Sequence, residues 1–155
     1  MKLLALDVGE RRIGVAVSDD TGLIAAPLQV VARASKAEDF RCIAGLIREQ
    51  GAAGLVVGHP LNADGSAGPQ AQRIERYAAA LAEALQEQGL DVPIVLWDEH
   101  LSTQRAAETM ALTGRRARQQ RGRIDAVAAA VFLQDYLDEQ RPPAAPPEED
   151  DSWTH

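Results

Sequence analysis

Residues 7–19 read DVGERRIGVAVSD, and they set the architecture because two strand-like segments meet there across a tight turn with an acid at the junction. Residues 3–6 ahead of it are uniformly apolar, which suits a central strand buried on both faces. The apolar run stops at Asp7. Residues 13–17 are strand-like again, with Gly14 inside them, so the turn at 9–11 is expected to close a β-hairpin. Taken alone, Asp7 has two readings: an acceptor for turn hydrogen bonds, or a carboxylate at the end of a buried strand that requires a partner.

The pattern continues outward. Residues 23–31 are rich in Leu, Ile and Val, with Pro27 placing that strand at an edge or an irregularity. Ser35 followed by Glu38 is a capping box, and Phe40, Ile43, Ala44 and Ile47 repeat at helical spacing until Gly51. Residues 54–57 form a short apolar strand that runs into the turn-rich string GHPLNADGS, residues 58–66. A second helix is expected over 67–88, with Ile74, Tyr77, Ala78, Leu81 and Leu85 as its buried stripe. Residues 92–97 form a fifth strand ending at Asp98, Glu99 and His100. Ser102 caps a helix reaching about residue 112, and the last helix covers about 123–139. Three hairpin-linked strands followed by helix, strand, helix, strand and helices describe an α/β fold. Its sheet is mixed and five-stranded, antiparallel first and parallel after, with helices on its faces.

Composition narrows the class. A chain of 155 residues with 46% apolar content is one domain able to bury a core. No stretch approaches a membrane span, and the N-terminus lacks the features of a signal peptide, so a cytoplasmic protein is expected. Cys42 is the sole cysteine, which rules out an internal disulfide and a thiol-built zinc site. Its place in a helical pattern reads as a small buried hydrophobe. The net charge is −7, of which residues 141–155 contribute −3. With Pro142, Pro143, Pro146 and Pro147 in that segment, residues 140–155 are expected to be a disordered acidic tail, leaving 1–139 as the domain. Against the acidic background Arg115, Arg116, Arg118, Arg121 and Arg123 form a run with no acid among them. This reads as a mobile cationic loop, either solvated surface or a phosphate contact.

Three acidic positions fall at element ends, where open α/β sheets build their sites: Asp7, the Asp98/Glu99 pair and Asp125. Side chains alternate along a strand, so Asp98 shares the face of Ile94 and Leu96 while Glu99 shares that of Val95 and Trp97; only one of the pair can meet Asp7. Asp125 shares a helix stripe with Ala128, Ala129, Phe132 and Tyr136, which directs it toward the sheet. Its plainer reading is a helix-dipole partner. Carboxylates gathered from separate elements repel, and their desolvation adds cost, so such a cluster calls for protons or for hard divalent cations. Magnesium or manganese suits oxygen ligands, and a pair of such ions supports phosphodiester hydrolysis in nucleic acid.

The strings DVGERRIGVAVSD, GHPLNADGS, WDEHLST and RIDAVAA occur in this order, and together they resemble the YqgF/RuvX family over about residues 1–139. Members of that family have been described as Holliday-junction resolvases and as nucleases maturing the 5′ end of pre-16S rRNA. The resemblance implies an RNase H-like fold related to RuvC and a metal-dependent nuclease centre holding Mg²⁺ or Mn²⁺. Its partners would be an rRNA precursor or branched DNA, ribosomal assembly particles, and no membrane, in a monomer or homodimer. It also implies that Asp7, Glu99 and Asp125 are the metal ligands, with Asp98 as the substitute for Glu99 or as a neighbouring catalytic acid behind it. His100 departs from the family's arginine, which puts a phosphate or carboxylate contact there in doubt. His59 stands where the family carries an apolar residue and is read first as a packing histidine.

The remaining positions fit a phosphate backbone. Asn62, Gly65 and Ser66 precede a helix N-terminus, where donors can hold a phosphate. Gly9 lets a backbone approach, and Arg11, Arg12, Arg115, Arg116 and Arg118 can neutralise phosphates without reading sequence. Trp97 and Tyr136 read as core rather than stacking platforms. Two other functions compete: a noncatalytic RNA-binding ribosome-assembly factor, and an actin-like or sugar-kinase nucleotide binder, whose two-domain clamp needs a longer chain.

Overall fold

Alternation along the first strand sends its side chains into two separate cores, and the rest of the molecule is arranged around that division. The computed structural model describes residues 1–99 and 117–141. In chain order these form β1 (Leu3–Val8), β2 (Arg12–Ser18), β3 (Ala25–Ala32), α1 (Lys36–Gln50), β4 (Gly54–His59), α2 (Pro69–Glu87), β5 (Ile94–Asp98) and α3 (Ala117–Gln140). The five strands make one sheet in the order β3-β2-β1-β4-β5. β1–β2 and β2–β3 are antiparallel, while β1–β4 and β4–β5 are parallel. The mixed sheet expected from the hairpin and crossover pattern is therefore the one observed.

Leu4, Leu6 and Val8 point to one face with Ile13, Val15, Leu55 and Val57, and they pack beneath α1 and α2. Leu3 and Ala5 point to the other with Ala16 and Val56, beneath Ala129, Phe132 and Leu133 of α3. Truncating a fully buried leucine such as Leu4 or Leu6 to alanine costs about 2–5 kcal/mol. Period two then carries Asp7 to the α3 face. Gly9 N–H donates to the Arg12 carbonyl at 2.8 Å, closing the turn between β1 and β2. β3 is an edge strand, and its register against β2 shifts by one residue beside Pro27, where the missing N–H would otherwise break a ladder bond.

The helix ends follow their sequence signals. Ser35 accepts a hydrogen bond from Glu38 N–H at 3.2 Å, and Gly51 ends α1 at φ +65°. The buried Asp39 accepts from Ala34 N–H at 3.0 Å and from Arg33 Nε at 3.4 Å. α2 opens at Pro69, whose missing N–H costs nothing in a first turn. On α3, Gln134 accepts from Ala25 N–H and donates to the Leu23 carbonyl, both at 2.9 Å, tying the helix to the entry of the edge strand.

Two expectations are corrected. α3 begins at Ala117, about six residues early, so Arg118, Arg121 and Arg123 lie in a helix rather than in a loop. Arg and Gln are good helix formers, and five of them across 118–123 outweigh the roughly 1 kcal/mol cost of Gly122. Cys42 is only half-buried, because the apolar stripe of α1 runs through Phe40, Ile43 and Ile47 and leaves position 42 at its margin. The expected helix at 102–112, His100, Arg115, Arg116 and the tail from 142 onward lie outside the described residues.

Candidate active site

Asp7 sits between two glycines. Gly14 is its register partner on β2, and Gly58 on β4 follows Val57, which pairs with Leu6 of β1. Each gap admits another acid. A methyl group on Gly14 would overlap the backbone carbonyl of Asp125 and lie 2.6 Å from the Ala126 nitrogen. A methyl group on Gly58 would overlap the Glu99 carboxyl and lie 3.0 Å from the Phe132 ring. Glu99 follows β5, which is separated from β1 by β4, so its carboxyl reaches Asp7 by lying across the bare backbone at Gly58. Neither glycine was singled out for this purpose in the sequence. The available signal was a lone glycine within each strand pattern, which marks close approach of another group.

The electrostatics of this group are costly. Burial pushes the Glu99 carboxyl up to about 8, reinforced by the Asp7 charge, its hydrogen bond to Asp7 and the Asp98 charge. Burial also raises Asp7, to about 6; the hydrogen bond from Glu99 opposes that rise and the Asp125 charge adds to it. The hydrogen bond between the two carboxyls requires one proton between them. Glu99 Oε2 is buried with no hydrogen-bond partner, an unfavourable position for an oxygen that can accept twice. An unsatisfied hard oxygen beside a second carboxylate fits a divalent cation, which would displace the proton and relieve the repulsion.

Asp125 comes near from the other side but turns to a different partner. Its Oδ2 accepts from Arg12 Nε at 3.2 Å. Among the described residues no three Asp, Glu, His or Cys side chains stand together as a ready-made metal cluster; Arg12 supplies Asp125 with the positive charge that a cation would bring. Asp98, the residue before Glu99, is exposed.

His59 is mostly buried and shares a 3.0 Å hydrogen bond with Glu75 Oε1 on α2, a packing role. In the loop after β4, Asn62 Nδ2 donates to Ser66 Oγ at 3.0 Å, and Ser66 N–H and Oγ donate to Asp64 Oδ1 at 2.9 and 2.6 Å. Gly65 takes φ +84° there. The side chains of Asn62 and Ser66 are thus engaged in shaping their own loop. Arg11 is exposed at the hairpin turn, where its carbonyl accepts from Arg33 N–H at 2.9 Å. Trp97 and Tyr136 meet edge to face at 5.2 Å against the α3 core.

A model of the RuvX family, described as Holliday junction resolvase, matches residues 1–139. The chain belongs to the RuvX family. A relative from Syntrophus aciditrophicus (strain SB), described as a candidate pre-16S rRNA nuclease, is 41% identical over 138 residues, which is 89% of each chain. One from Synechococcus sp. (strain JA-2-3B'a(2-13)), with the same description, is 46% identical over 141 residues, covering 91% of this chain and 80% of its own. The structure of T. thermophilus RuvC in complex with a Holliday junction superposes with a TM-score of 0.55 at 17% identity, over 90% of this chain and 96% of that one. That likeness establishes an RNase H-like fold of the RuvC kind, and the family membership makes the chain a nuclease. Among the described residues, no helix is long and apolar enough to cross a membrane.

Proposed function

We propose that this chain is a metal-dependent nuclease acting in the cytoplasm on structured RNA, at the 5′ side of a 16S rRNA precursor, with branched DNA as the competing substrate. The observation that carries the reading is the Asp7–Glu99 pair, two half-buried carboxyls with one orphaned, buried oxygen at the end of the central strand. The precursor is favoured over the junction because the relatives above 40% identity are described by it.

Asp7 and Glu99 would hold the ion, with Asp125 as the third acid and Asp98 setting the local field. A Mg²⁺ or Mn²⁺ ion held there would supply activation of water and stabilisation of the leaving oxygen. The chain's own contribution is to place and neutralise. Glu99 must give up the proton it shares with Asp7, and its seat over Gly58 fixes its direction. The turn at Gly9 lets a phosphodiester backbone approach, and Arg11 and Arg12 neutralise it. When Arg12 turns to a phosphate it releases Asp125, which ties completion of the acid set to the arrival of substrate.

The test is cleavage of matched rRNA-precursor, four-way-junction and single-stranded DNA substrates with Mg²⁺ and with Mn²⁺. Asp7→Asn should lower cleavage at least a thousandfold while substrate binding persists. Full activity in that variant, or no cleavage of any substrate by the wild type, overturns the reading; preference for the junction reassigns the substrate.

A further inference from the structure

On the face of the sheet opposite the acids, a half-open cavity of about 400 Å³ lies beside the same β1–β2 turn. Val8 and Gly9 form its inner wall, one and two residues beyond Asp7. Four cations from three segments surround it: Arg33 after β3, Lys36 at the start of α1, and Arg73 and Arg76 on α2. Among the described residues, no carboxylate pairs with Lys36, Arg73 or Arg76, and all three are exposed. Glu10 also lines the cavity, and Arg33 is partly compensated by the buried Asp39 at 3.4 Å, so the balance of the cavity is positive.

A second observation is independent of that charge. Tyr77 lines the cavity, is only 4% exposed, and its hydroxyl is buried with no hydrogen-bond partner. A buried, unpartnered hydroxyl costs on the order of 1–3 kcal/mol. Burial first, then the nearby Asp39 charge, pushes this phenol up to about 12, so it remains a neutral donor. Arg33 is held over the Tyr77 ring at 5.2 Å and donates to the Gly9 carbonyl at 3.0 Å, which fixes the wall between cavity and turn. Free cations around one unsatisfied donor suit an anion with several acceptor oxygens.

We infer that this cavity is a phosphate subsite, in which Arg73, Arg76 and Lys36 neutralise a phosphate group of the bound strand and Tyr77 donates a hydrogen bond to it. The strand would cross the β1–β2 turn, held on one face while the acids engage it on the other. The ligand class rests on the nucleic-acid reading above. The phosphate is either an internal phosphodiester or a 5′-terminal monoester, which share this chemistry.

Binding, not cleavage, provides the test, so its failure is separable from failure of the nuclease reading. Fluorescence anisotropy in EDTA compares wild type, Arg73→Ala/Arg76→Ala and Tyr77→Phe on an RNA oligonucleotide with a 5′-phosphate and on the same oligonucleotide with a 5′-hydroxyl. The double variant should bind about tenfold more weakly, and the slope of log K against log salt should fall by about one, as loss of one phosphate contact requires. Tyr77→Phe should weaken binding severalfold with its circular dichroism unchanged. Loss confined to the 5′-phosphorylated oligonucleotide assigns a terminal phosphate; equal loss on both assigns an internal one. Unchanged affinity and salt slope in the double variant, whose substituted residues are exposed and whose fold should be intact, overturn the inference.

Discussion

The Glu99 carboxyl reaches Asp7 across an intervening strand, and it does so over Gly58, where a side chain on β4 would occupy the place of the carboxyl. The acid pair is therefore a property of three strands, with the glycine as necessary to it as either carboxyl.

Gly58→Ala is expected to expel Glu99 from its seat and to lower cleavage by about a hundredfold or more. The stability cost should be modest, about 1–3 kcal/mol, because a side chain can move. Gly14→Ala meets the backbone of Asp125 instead and should cost more. Urea unfolding alongside the cleavage assay separates the two; a Gly58→Ala enzyme of wild-type activity refutes the account.

Without metal, the protein should lose stability as pH rises. Glu99 at about 8 and Asp7 at about 6 lie above ordinary carboxylate values, so between roughly pH 4 and 8 the folded chain binds more protons than the unfolded one. Stability from this pair is present at low pH and is lost as pH rises through those values. Glu99→Gln should flatten the dependence, as measured by urea unfolding at stepped pH in EDTA. A stability that climbs from pH 6 to pH 8.5 contradicts the shared proton.

Mn²⁺ should raise the melting temperature at pH 7.5 and release protons as it binds. At a hundred times its dissociation constant a ligand specific to the folded state adds about 2.7 kcal/mol. Calorimetry in buffers of different ionisation enthalpy reads the proton release. Both effects should vanish in Asp7→Asn, and their persistence there would place the ion elsewhere.

Arg12→Ala should change folding stability by less than about 1 kcal/mol, since the Arg12–Asp125 pair is 46% and 29% exposed and such pairs are weak. Its effects should be on ligands. Mn²⁺ affinity should rise severalfold as Asp125 is freed, while nucleic-acid affinity falls. A variant with unchanged affinity for both denies Arg12 the switching role.

Local signals were legible because their physics is local. The Asp7-to-Asp19 string marked the hairpin, Ser35 and Gly51 capped α1, Pro27 announced an edge irregularity, and alternation along 94–99 separated Glu99 from Asp98. The start of α3 was not legible, because Gly122 argued for a loop where helix-forming neighbours prevail. The cationic cavity was also hidden: Arg33, Lys36, Arg73 and Arg76 are scattered along the chain and meet only through the packing of α1 and α2.

The sequence by itself determined the order of the strands and helices that the structure describes, since burial periodicity and caps depend on near neighbours. The tertiary structure decided which groups touch. Only the sheet order lays Glu99 across Gly58 to Asp7, only the seating of α3 over Gly14 brings Asp125 within reach of Arg12, and only the folded chain buries Glu99 deeply enough to hold its proton near neutrality. Proximity and desolvation arise between residues distant in sequence, so they enter with the fold.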